Sequence, residues 1–433
     1  MSFVSPRGTK DILPEEVAYW QHVENVAQDV FQAFNYQEIR TPIFESTELF
    51  ERSIGDQTDI VQKEMYSFQD KGNRALTLRP EGTAPVARSV IQHQLLGQSN
   101  PLKLYYQGPF FRYERPQAGR YRQFHQIGVE YIGTQTHFAD AEVISLAYHL
   151  FQQLGIQNLT VTLNSIGDEL SRPVINEAIR QFIQSSPVIF KQLCDKCQYR
   201  LDRNPLRILD CKNKKCQSLL VGLPDIKTFQ SQECRDHFNA VVEELDRLDI
   251  PFEVNPYLVR GLDYYSKTTF EIVSSKLGAQ NAICGGGRYD GLIQQLSGKA
   301  TPAFGFAFGV ERVVTLLRQY QNLSRSASYI RIYVIPVGAS FQSTCFELLY
   351  QLRKAGFDTD MDVEKCDLKS LLKKANKHQA SHVIIYGEEE AEQHQVTIKT
   401  MADRSQSSIK IDQAVHYFLN LKKELQRSQA SYV

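Results

Sequence analysis

The sequence predicts a large α+β domain with an antiparallel sheet, interrupted by a helical insertion and followed by a smaller α/β domain. The length of 433 residues exceeds one ordinary domain of roughly 150 residues. Residues 103–133 alternate with a period of two, and strands and helices alternate after residue 330. We expect the first domain over residues 1–325, with its insertion at about 169–250, and the second over residues 329–433.

The composition excludes several classes of protein. With 42% hydrophobic and 23% charged residues, the chain is globular, not disordered or fibrous. The 49 basic residues balance 49 acidic ones, so a nucleic acid would have to bind local patches. No segment approaches the ~18 consecutive apolar residues of a membrane span, and no apolar run follows the first charges. These features predict a cytoplasmic protein without a membrane partner.

The first domain begins with an amphipathic helix. Pro14 is a favourable first helical residue, and apolar residues recur at spacings of three and four to about Phe34. Residues 36–45 then read as a strand and a turn. Short antiparallel strands are predicted within residues 103–133, with turns at Gly108–Pro109 and Pro116–Gly119.

The insertion and the second domain follow. Residues 168–250 are largely helical in pattern, and strand-like segments return at 251–273 and 302–310. The polar residues 320–328 predict a linker. Beyond it, largely parallel pairing is expected among these elements: strand 330–337, helix 341–354, strand 357–363, helix 368–378, strand 382–386 and strand 395–401.

Two strands of the predicted sheet each have one face of unusual polarity. Because side chains alternate along a strand, Arg112 and Glu114 share one face, as do Gln126, Gly128 and Glu130. Taken alone, this pattern fits the solvated face that antiparallel sheets often have. Whether these polar faces belong to a binding site therefore depends on the other segments of the sequence.

A third segment, residues 303–312, favours a binding site. One face carries phenylalanines, whereas the other consists of Ala303, Gly305, Ala307 and Gly309. Glycine inside a strand usually marks the close approach of a ligand or another backbone, so a flat ring could lie on this strip. Arg312 could stack on that ring or pair with a phosphate. The alternative is a tight bend under a packed helix.

Two further segments combine glycine with chemically active side chains. Residues 260–265, Arg-Gly-Leu-Asp-Tyr-Tyr, place a guanidinium that suits carboxylates and phosphates beside a carboxylate and two phenols. Residues 285–291, Gly-Gly-Gly-Arg-Tyr-Asp-Gly, match neither a P-loop nor a dinucleotide fingerprint. This run is either a phosphate-lining turn or a simple hairpin.

Four of the eight cysteines are spaced as in zinc ribbons. Cys194, Cys197, Cys211 and Cys216 lie in the predicted insertion, among lysines and arginines. A structural Zn²⁺ is compatible with this spacing but is not favoured, because the thiols of a cytosolic protein need no metal. The other cysteines are expected to be packing residues.

These segments together resemble the class II aminoacyl-tRNA synthetases, and among them the histidine–tRNA ligases, over nearly the whole chain. The first class motif resembles residues 36–50, including Pro42, which packs at the dimer interface in that family. The second resembles residues 111–114 and 120–124, and the third resembles residues 305–312. The resemblance implies a class II catalytic domain and a homodimer.

Residues 260–265 and 286–290 resemble signatures specific to histidine, and residues 77–83 resemble the amino-acid-binding loop. They argue against another class II synthetase, such as one for threonine or proline. A further alternative is a regulatory paralogue that binds histidine and partners a phosphoribosyltransferase. Such a paralogue is expected to lose catalytic arginines and the C-terminal domain, and this chain has both.

The resemblance implies an enzyme that activates L-histidine with ATP and transfers the histidine to the 3′ end of tRNA(His), releasing AMP and pyrophosphate. Mg²⁺ would bridge the phosphates. Arg112 and Arg260 are expected to be catalytic, because they would neutralise charge at the α-phosphate. The ATP-binding residues implied are Arg112, Glu114, Arg120, Phe124, Gly305, Gly309 and Arg312.

The resemblance also implies a histidine pocket. Its residues are Glu81, Gly82, Thr83, Arg112, Gln126, Glu130, Arg260, Tyr264 and Tyr265. Glu130 with Tyr264 is expected to recognise the imidazole, and Glu81 with Thr83 the amino group. A pocket that hydrogen-bonds a ring N–H rejects apolar analogues, since its buried partners would be left unpaired.

The second domain resembles the anticodon-binding domain of this class, which implies tRNA(His) as a partner. A lysine stripe recurs every four residues near its helix 368–378: Lys365, Lys369, Lys373 and Lys377, with Lys374 beside them. This stripe either contacts RNA phosphates or is an ordinary solvated helix face.

Overall fold

The computed structural model describes residues 3–55, 58–115, 119–274, 282–297, 299–320 and 330–430. By its internal contacts the chain divides into two compact units, Met1–Asn322 and Leu323–Val433. Among the described residues, no helix combines the length and the apolar composition needed to cross a membrane. Most of the predicted turn at Pro116–Gly119 and of the predicted linker at 320–328 lies outside the described residues.

The first helix forms where the sequence predicts it. It has Pro14 in its first turn and ends at Ala33, and Asn35 follows in the left-handed region at φ 65°. Its apolar stripe is buried against the sheet, as the three-and-four spacing requires. The buried residues of this helix are Trp20, Val23, Ala27, Val30 and Phe31.

The first unit contains two sheets. Its strands are β1 (Gln37–Glu38), β2 (Phe44–Ser46), β3 (Tyr66–Gln69), β4 (Ala75–Leu78), β5 (Leu102–Phe111), β6 (Gln123–Ile132), β7 (Leu159–Ser165), β8 (Phe252–Val254), β9 (Ser266–Ser274), β10 (Ala282–Arg288) and β11 (Ala303–Gly309). In the described chain, the large sheet has the order β1-β5-β6-β11-β10-β9-β7-β8, and β2-β4-β3 form the small one. The pairs from β5 to β7 are antiparallel, whereas β1 and β8 join the edges in parallel. The predicted antiparallel sheet is therefore confirmed.

Helices cover one face of the large sheet. The helices of this unit are α1 (Pro14–Ala33), α2 (Thr47–Ile54), α3 (Thr83–Gln92), α4 (His137–Gln153), α5 (Ser171–Gln184), α6 (Pro187–Gln192), α7 (Asp195–Arg203), α8 (Lys214–Leu219), α9 (Gln232–Arg247), α10 (Leu292–Ser297) and α11 (Val310–Tyr320). The main core joins α1, α4, α9 and α11 to the phenylalanine face of β11. The opposite face of the sheet is left for the polar strand residues.

Two local predictions were wrong, and one open alternative is decided. The glycines at 285–287 lie inside β10, in the middle of the sheet, where β10 pairs in antiparallel with the preceding strand β9, and they form no phosphate-lining turn. Gly108 and Pro109 are not a turn but pair with Gln126 and His125. Residues 255–265, predicted as strand-like, form a loop between β8 and β9.

The helical insertion is present, but its last helix belongs to the core. The buried residues of α5, α7 and α8, with three of the cysteines, belong to a second hydrophobic cluster that also includes residues of α3 and β5. In contrast, α9 buries Phe238, Val241 and Leu245 in the main core of the sheet. Within the predicted insertion, residues 169–250, α9 is therefore the helix that packs in the main core.

The second unit is an α/β structure with a mixed sheet. Its elements are β12 (Arg331–Pro336), α12 (Gln342–Lys354), β13 (Asp358–Met361), α13 (Leu368–Lys377), β14 (His382–Tyr386), α14 (Glu388–Glu392), β15 (Gln395–Thr400), β16 (Gln406–Lys410) and α15 (Ala414–Ala430). Strand β12 pairs in parallel with β13 and β14, whereas β14-β15 and β15-β16 are antiparallel. The expectation of largely parallel pairing thus holds for only half of the pairs.

Candidate active site

Two adjoining cavities open on the polar face of the large sheet. One has a volume of about 270 Å³ and the other about 210 Å³. Both are lined by Arg112, Gln126, Arg260, Gly285 and Ala307, so these residues mark the junction. A larger cavity of about 670 Å³ lies beside Asp168 but contains neither of the two predicted catalytic arginines. The two predicted catalytic arginines thus lie at the junction of the two smaller cavities. We name the larger of these the nucleotide cavity and the smaller the amino-acid cavity, after the ligands that the sequence predicts for their residues.

The larger of these two, the nucleotide cavity, has Arg112 on its wall. Strand β5 ends at Phe111, so Arg112 and Glu114 lie just beyond the strand and not within it, as the alternation argument had assumed. The Arg112 Nε donates to the carbonyl of Pro80 at 2.8 Å, and the guanidinium lies 5.4 Å from the Phe124 ring centroid. These contacts fix the arginine on the wall of the cavity.

A second cationic group in the nucleotide cavity is Arg120. It donates to the Glu114 carboxylate at 3.2 Å, and the side chain of Arg120 retains 35% exposure. The backbone of β6 is tied down nearby, because Glu311 accepts the N–H of His125 at 2.9 Å. Glu114, Arg120 and Phe124, which the sequence predicts to bind ATP, all line this cavity.

Arg312 forms the far wall of the nucleotide cavity. It follows Glu311 in the first turn of α11, and its Nη1 donates to the carbonyl of Ala282. Burial lowers the pKa of the Arg312 guanidinium, and the nearby Arg120 acts in the same direction. An anionic ligand between Arg120 and Arg312 would relieve this repulsion.

The glycine strip of β11 serves two purposes. Gly309 and Ala307 line the nucleotide cavity, and a Cβ at Gly309 would meet nothing within 4 Å. Gly305 instead lies over Glu130, where a Cβ would come within 2.0 Å of Oε2. Gly305 therefore makes room for a buried carboxylate, which corrects its predicted place in the ATP site.

The smaller cavity, the amino-acid cavity, is lined by the start of α3. Glu81 accepts the backbone N–H groups of Thr83 at 2.7 Å and Ala84 at 2.8 Å. Burial raises the pKa of Glu81, although these two donors oppose the shift. Tyr264 reaches the same carboxylate at 3.5 Å. A ligand ammonium here would meet a rigid acceptor that is partly satisfied already.

Glu130 lies behind the wall of the amino-acid cavity. Its oxygens accept the hydroxyl groups of Thr83 at 2.8 Å and Tyr289 at 2.5 Å, and the residue is 1% exposed. Burial raises the pKa of Glu130 from 4.5 to about 8, while the Tyr289 and Thr83 hydrogen bonds lower it. The sequence had predicted that Glu130 contacts the ligand, but in the structure Glu130 lies outside the cavity lining and bonds to Thr83, which belongs to that lining.

Tyr106 is a cavity residue that the sequence analysis missed. It lines the amino-acid cavity with Tyr264 and Tyr265, and a Cβ at Gly82 would lie 2.2 Å from its ring. Its position in β5, among buried apolar residues, is typical of core packing. The signal that could have revealed it is Gly128, which is its partner in β6 and leaves space for the phenol.

Arg260 approaches the junction from the loop before β9. Its Nη1 pairs with Glu271, and its guanidinium lies 5.7 Å from the Tyr265 ring centroid. Among the described residues, the buried Nε of Arg260 and the Oε1 of Gln126 have no hydrogen-bond partner. Since buried polar groups are normally paired, these atoms are candidates for ligand contacts at the junction.

Arg288, from the predicted histidine-specific signature, is structural. It is fully buried, pairs with the buried Asp140 and donates to the carbonyl of Thr134 at 3.1 Å. Its neighbour Tyr289 instead supports Glu130. The predicted signature at residues 286–290 therefore supports the site from behind the wall of the cavity.

Comparisons with known proteins identify the family of the chain. Residues 8–313 match the family model described as histidyl-tRNA synthetase, and residues 331–421 match an anticodon binding domain. The chain belongs to the histidyl-tRNA synthetase family. A histidine–tRNA ligase of Geobacillus sp. is 47% identical over 420 residues, covering 96% of this chain and 99% of the relative. Its counterpart in Halothermothrix orenii is 44% identical over 427 residues, covering 99% and 100%.

A solved structure extends the agreement to the fold of the histidyl-tRNA synthetase family. The apo histidyl-tRNA synthetase of S. aureus has a TM-score of 0.81 and 37% identity, covering 96% of this chain and all of that one. The class II synthetase fold with its C-terminal anticodon-binding domain is thereby confirmed. The match over residues 331–421 also argues against a regulatory paralogue without that domain.

Proposed function

We propose that this chain activates L-histidine with ATP to histidyl-adenylate and then transfers the histidine to the 3′ end of tRNA(His). The observation that carries the proposal is the pair of adjoining cavities joined at Arg112 and Arg260. One cavity has the arginines suited to a triphosphate, and the other has the Glu81 carboxylate and the phenols suited to histidine. The α-phosphate and the histidine carboxylate would meet at their junction.

The first step needs charge neutralisation and alignment, with no protein nucleophile. A histidine carboxylate oxygen attacks the α-phosphorus, and the bond from that phosphorus to the β-phosphate bridging oxygen breaks, releasing pyrophosphate. Arg112 and Arg260 would stabilise the charge that grows on the α-phosphate oxygens. In the second step, a terminal ribose hydroxyl of the tRNA attacks the acyl carbon, and AMP leaves.

The remaining triphosphate contacts would come from Arg120 and Arg312, with the adenine lying along Gly309. The carboxylates of Glu114 and Glu271 line the same cavity, and oxygen donors of this kind suit Mg²⁺. When bound, Mg²⁺ supplies charge neutralisation between the phosphates. Glu114 would also hold Arg120 in place through their ion pair.

Histidine specificity would arise in the smaller cavity. Glu81 and Thr83 would bind the amino group, and Tyr264, Tyr265 and Gln126 would surround the imidazole. We assign Glu130 a positioning role through Thr83, since both of its oxygens already accept hydrogen bonds. Removing a buried partner of a ring N–H costs about 1–3 kcal/mol, which is enough to discriminate against apolar amino acids.

The second unit is proposed to bind the tRNA anticodon stem. Lys369, Lys373 and Lys377 are exposed along α13, while Lys374 pairs with Asp362 at 2.7 Å. The ion pairs among the described residues do not include these three lysines, and cations on one helix face would suit the phosphates of an RNA backbone. A homodimer and a cytoplasmic location remain predictions from the sequence; equilibrium sedimentation of the purified chain would test the first.

The proposal is tested by exchange of labelled pyrophosphate into ATP, run with each of the twenty amino acids. Exchange should depend on histidine alone, and subsequent charging should require tRNA(His). Histidine binding without exchange would favour the regulatory alternative. Exchange driven by threonine or proline would instead place the chain among the other class II enzymes.

A further inference from the structure

The four cysteines of the insertion converge in the structure. The Sγ atoms of Cys194, Cys197, Cys211 and Cys216 all lie within 4.8 Å of one another. Three of these residues are buried, and the Cys194 and Cys211 sulfurs are 3.9 Å apart. We propose that these four cysteines bind one zinc ion as a structural tetrathiolate site. The sequence alone did not favour zinc, and the sulfur distances reverse that preference.

The spacing of the sulfurs fits a metal better than a disulfide. A tetrahedral site with Zn–S bonds of about 2.3 Å separates its sulfurs by about 3.8 Å. A disulfide would require a separation of about 2.05 Å and would join the sulfurs only in pairs. Four mutually close sulfurs from three separate chain segments are the arrangement that closed zinc sites adopt.

Backbone groups around the cluster favour thiolate ligands. The N–H of Cys194 donates to the Cys216 sulfur at 3.3 Å. The exposed Lys212, Lys214 and Lys215 would offset the remaining negative charge.

The short helices of the insertion explain what the metal would do. Helices α6 and α8 have six residues each and α7 has nine, which is too short for independent stability. A zinc ion would join the start of α7 to α8 and to the segment that precedes it. Metal binding of this kind contributes directly to folding free energy.

The zinc cluster also borders the active site. Between Cys197 and Cys211, Asn204 donates to the Asp263 carboxylate at 2.8 Å, and Arg207 donates to the Gly261 carbonyl at 2.7 Å. Both acceptors belong to the loop that carries Arg260. The metal would therefore fix both ends of a segment that braces this loop against the amino-acid cavity.

The test is metal analysis of the full-length chain, purified without a metal-binding tag and passed through a weak chelator. We expect one zinc per chain, lost in Cys197→Ser and Cys216→Ser but retained in Cys366→Ser. Cys366 is the matched control because it lies in the second unit. Zinc in the wild type no higher than in Cys197→Ser would overturn the proposal, as would disulfides joining these cysteines.

A second measurement covers the case in which the cysteine variants fail to fold. Wild-type protein grown in cobalt medium should show the visible and near-ultraviolet bands of tetrahedral tetrathiolate cobalt. A spectrum without these bands would contradict the site. Neither measurement depends on aminoacylation, so the outcome is independent of the proposed enzymatic activity.

Discussion

Gly285 lies directly beneath the Arg260 guanidinium: a Cβ at this glycine would be 2.3 Å from Nη1 and 2.5 Å from Nη2. No side chain other than hydrogen lets the guanidinium rest on β10 in this way. The junction of the two cavities therefore depends on a glycine that makes no contact through a side chain of its own. A substitution at Gly285 can therefore displace the Arg260 guanidinium without a comparable effect on folding.

Gly285→Ala should displace Arg260 while leaving the fold intact. The atoms that the new methyl group would meet are at the flexible end of a side chain, so they can move at small cost in stability. We expect histidine-dependent pyrophosphate exchange to fall at least tenfold, which corresponds to about 1.4 kcal/mol. Thermal unfolding of the variant should remain close to that of the wild type.

Gly97→Ala is the matched control, since a Cβ there meets nothing within 4 Å. It should leave both the exchange rate and the melting temperature unchanged. Wild-type exchange in Gly285→Ala would show that the position of Arg260 does not matter.

Arg260→Ala should remove transition-state stabilisation without weakening ATP binding. Loss of one charge-stabilising donor typically costs about 10²–10³ in kcat, and we expect a loss of this size in adenylate formation. The KM for ATP should change little, because Arg112, Arg120 and Arg312 remain. Single-turnover kinetics would measure the effect, with the exposed Arg74→Ala as control. Unchanged adenylate formation would remove Arg260 from the catalytic groups.

Glu130 should make stability depend on pH. Its pKa is about 8 in the folded protein and near the ordinary value of 4.5 when unfolded. Between these values the folded state binds more protons, so this group's contribution is fully present below about pH 4.5. It is lost as the pH rises towards 8, by up to about 1.4 kcal/mol per pH unit.

Urea denaturation from pH 5 to pH 8 would measure this dependence. Glu130→Gln should unfold with a flatter pH profile than the wild type, whereas the exposed Glu233→Gln should not change the profile. Parallel profiles for the wild type and Glu130→Gln would show that Glu130 is ionised throughout this range.

Asn204→Ala should loosen the Arg260 loop through the loss of its hydrogen bond to Asp263. One such bond contributes about 0.5–1.5 kcal/mol, so kcat/KM for histidine should fall by up to about tenfold. Removing the metal from the cysteine cluster should have an effect in the same direction. Steady-state exchange at varied histidine would detect both. Chelation that removes zinc yet leaves the histidine KM unchanged would separate the metal site from the loop.

The lysine stripe of α13 should contribute to tRNA binding and not to adenylate formation. Lys373→Glu with Lys377→Glu should weaken tRNA(His) binding and reduce the slope of log affinity against log salt by roughly two. Pyrophosphate exchange should be unaffected. Filter binding at several salt concentrations would measure the slope, with Lys71→Glu in the first unit as control. An unchanged slope would identify the stripe as a solvated helix face.

The sequence predicted the parts of the fold that follow simple periodicity. The stripe of α1 was correct, because burial on one side of a helix imposes the spacing of its apolar residues. The residues that share each face of β6 and β11 were also correct, because side chains alternate along a strand, although both faces of these strands are largely buried. The mixed pairing of the second unit was not predicted. Alternating strands and helices favour parallel neighbours. Strands β15 and β16, however, follow β14 without a helix long enough for the crossover connection that parallel strands require.

Glycines limited the prediction of the site. The run at 285–287 has the composition of a turn, and only the three-dimensional structure shows that Arg260 and Phe306 fill the space beside it. Gly305 was assigned to a nucleotide because the carboxylate it accommodates, Glu130, is 175 residues away in sequence. Tyr106 was missed because a buried phenol in a strand cannot be distinguished from core packing without its neighbours.

The central claim is that two joined cavities bring a nucleotide phosphate against the carboxyl end of histidine. Its most direct test is a crystal structure of the chain soaked with ATP and histidinol, which lacks the reacting carboxylate. The account predicts the imidazole beside Tyr264, the amine at Glu81 and the α-phosphate between Arg112 and Arg260. Ligands bound elsewhere, or a triphosphate that contacts neither arginine, would contradict it.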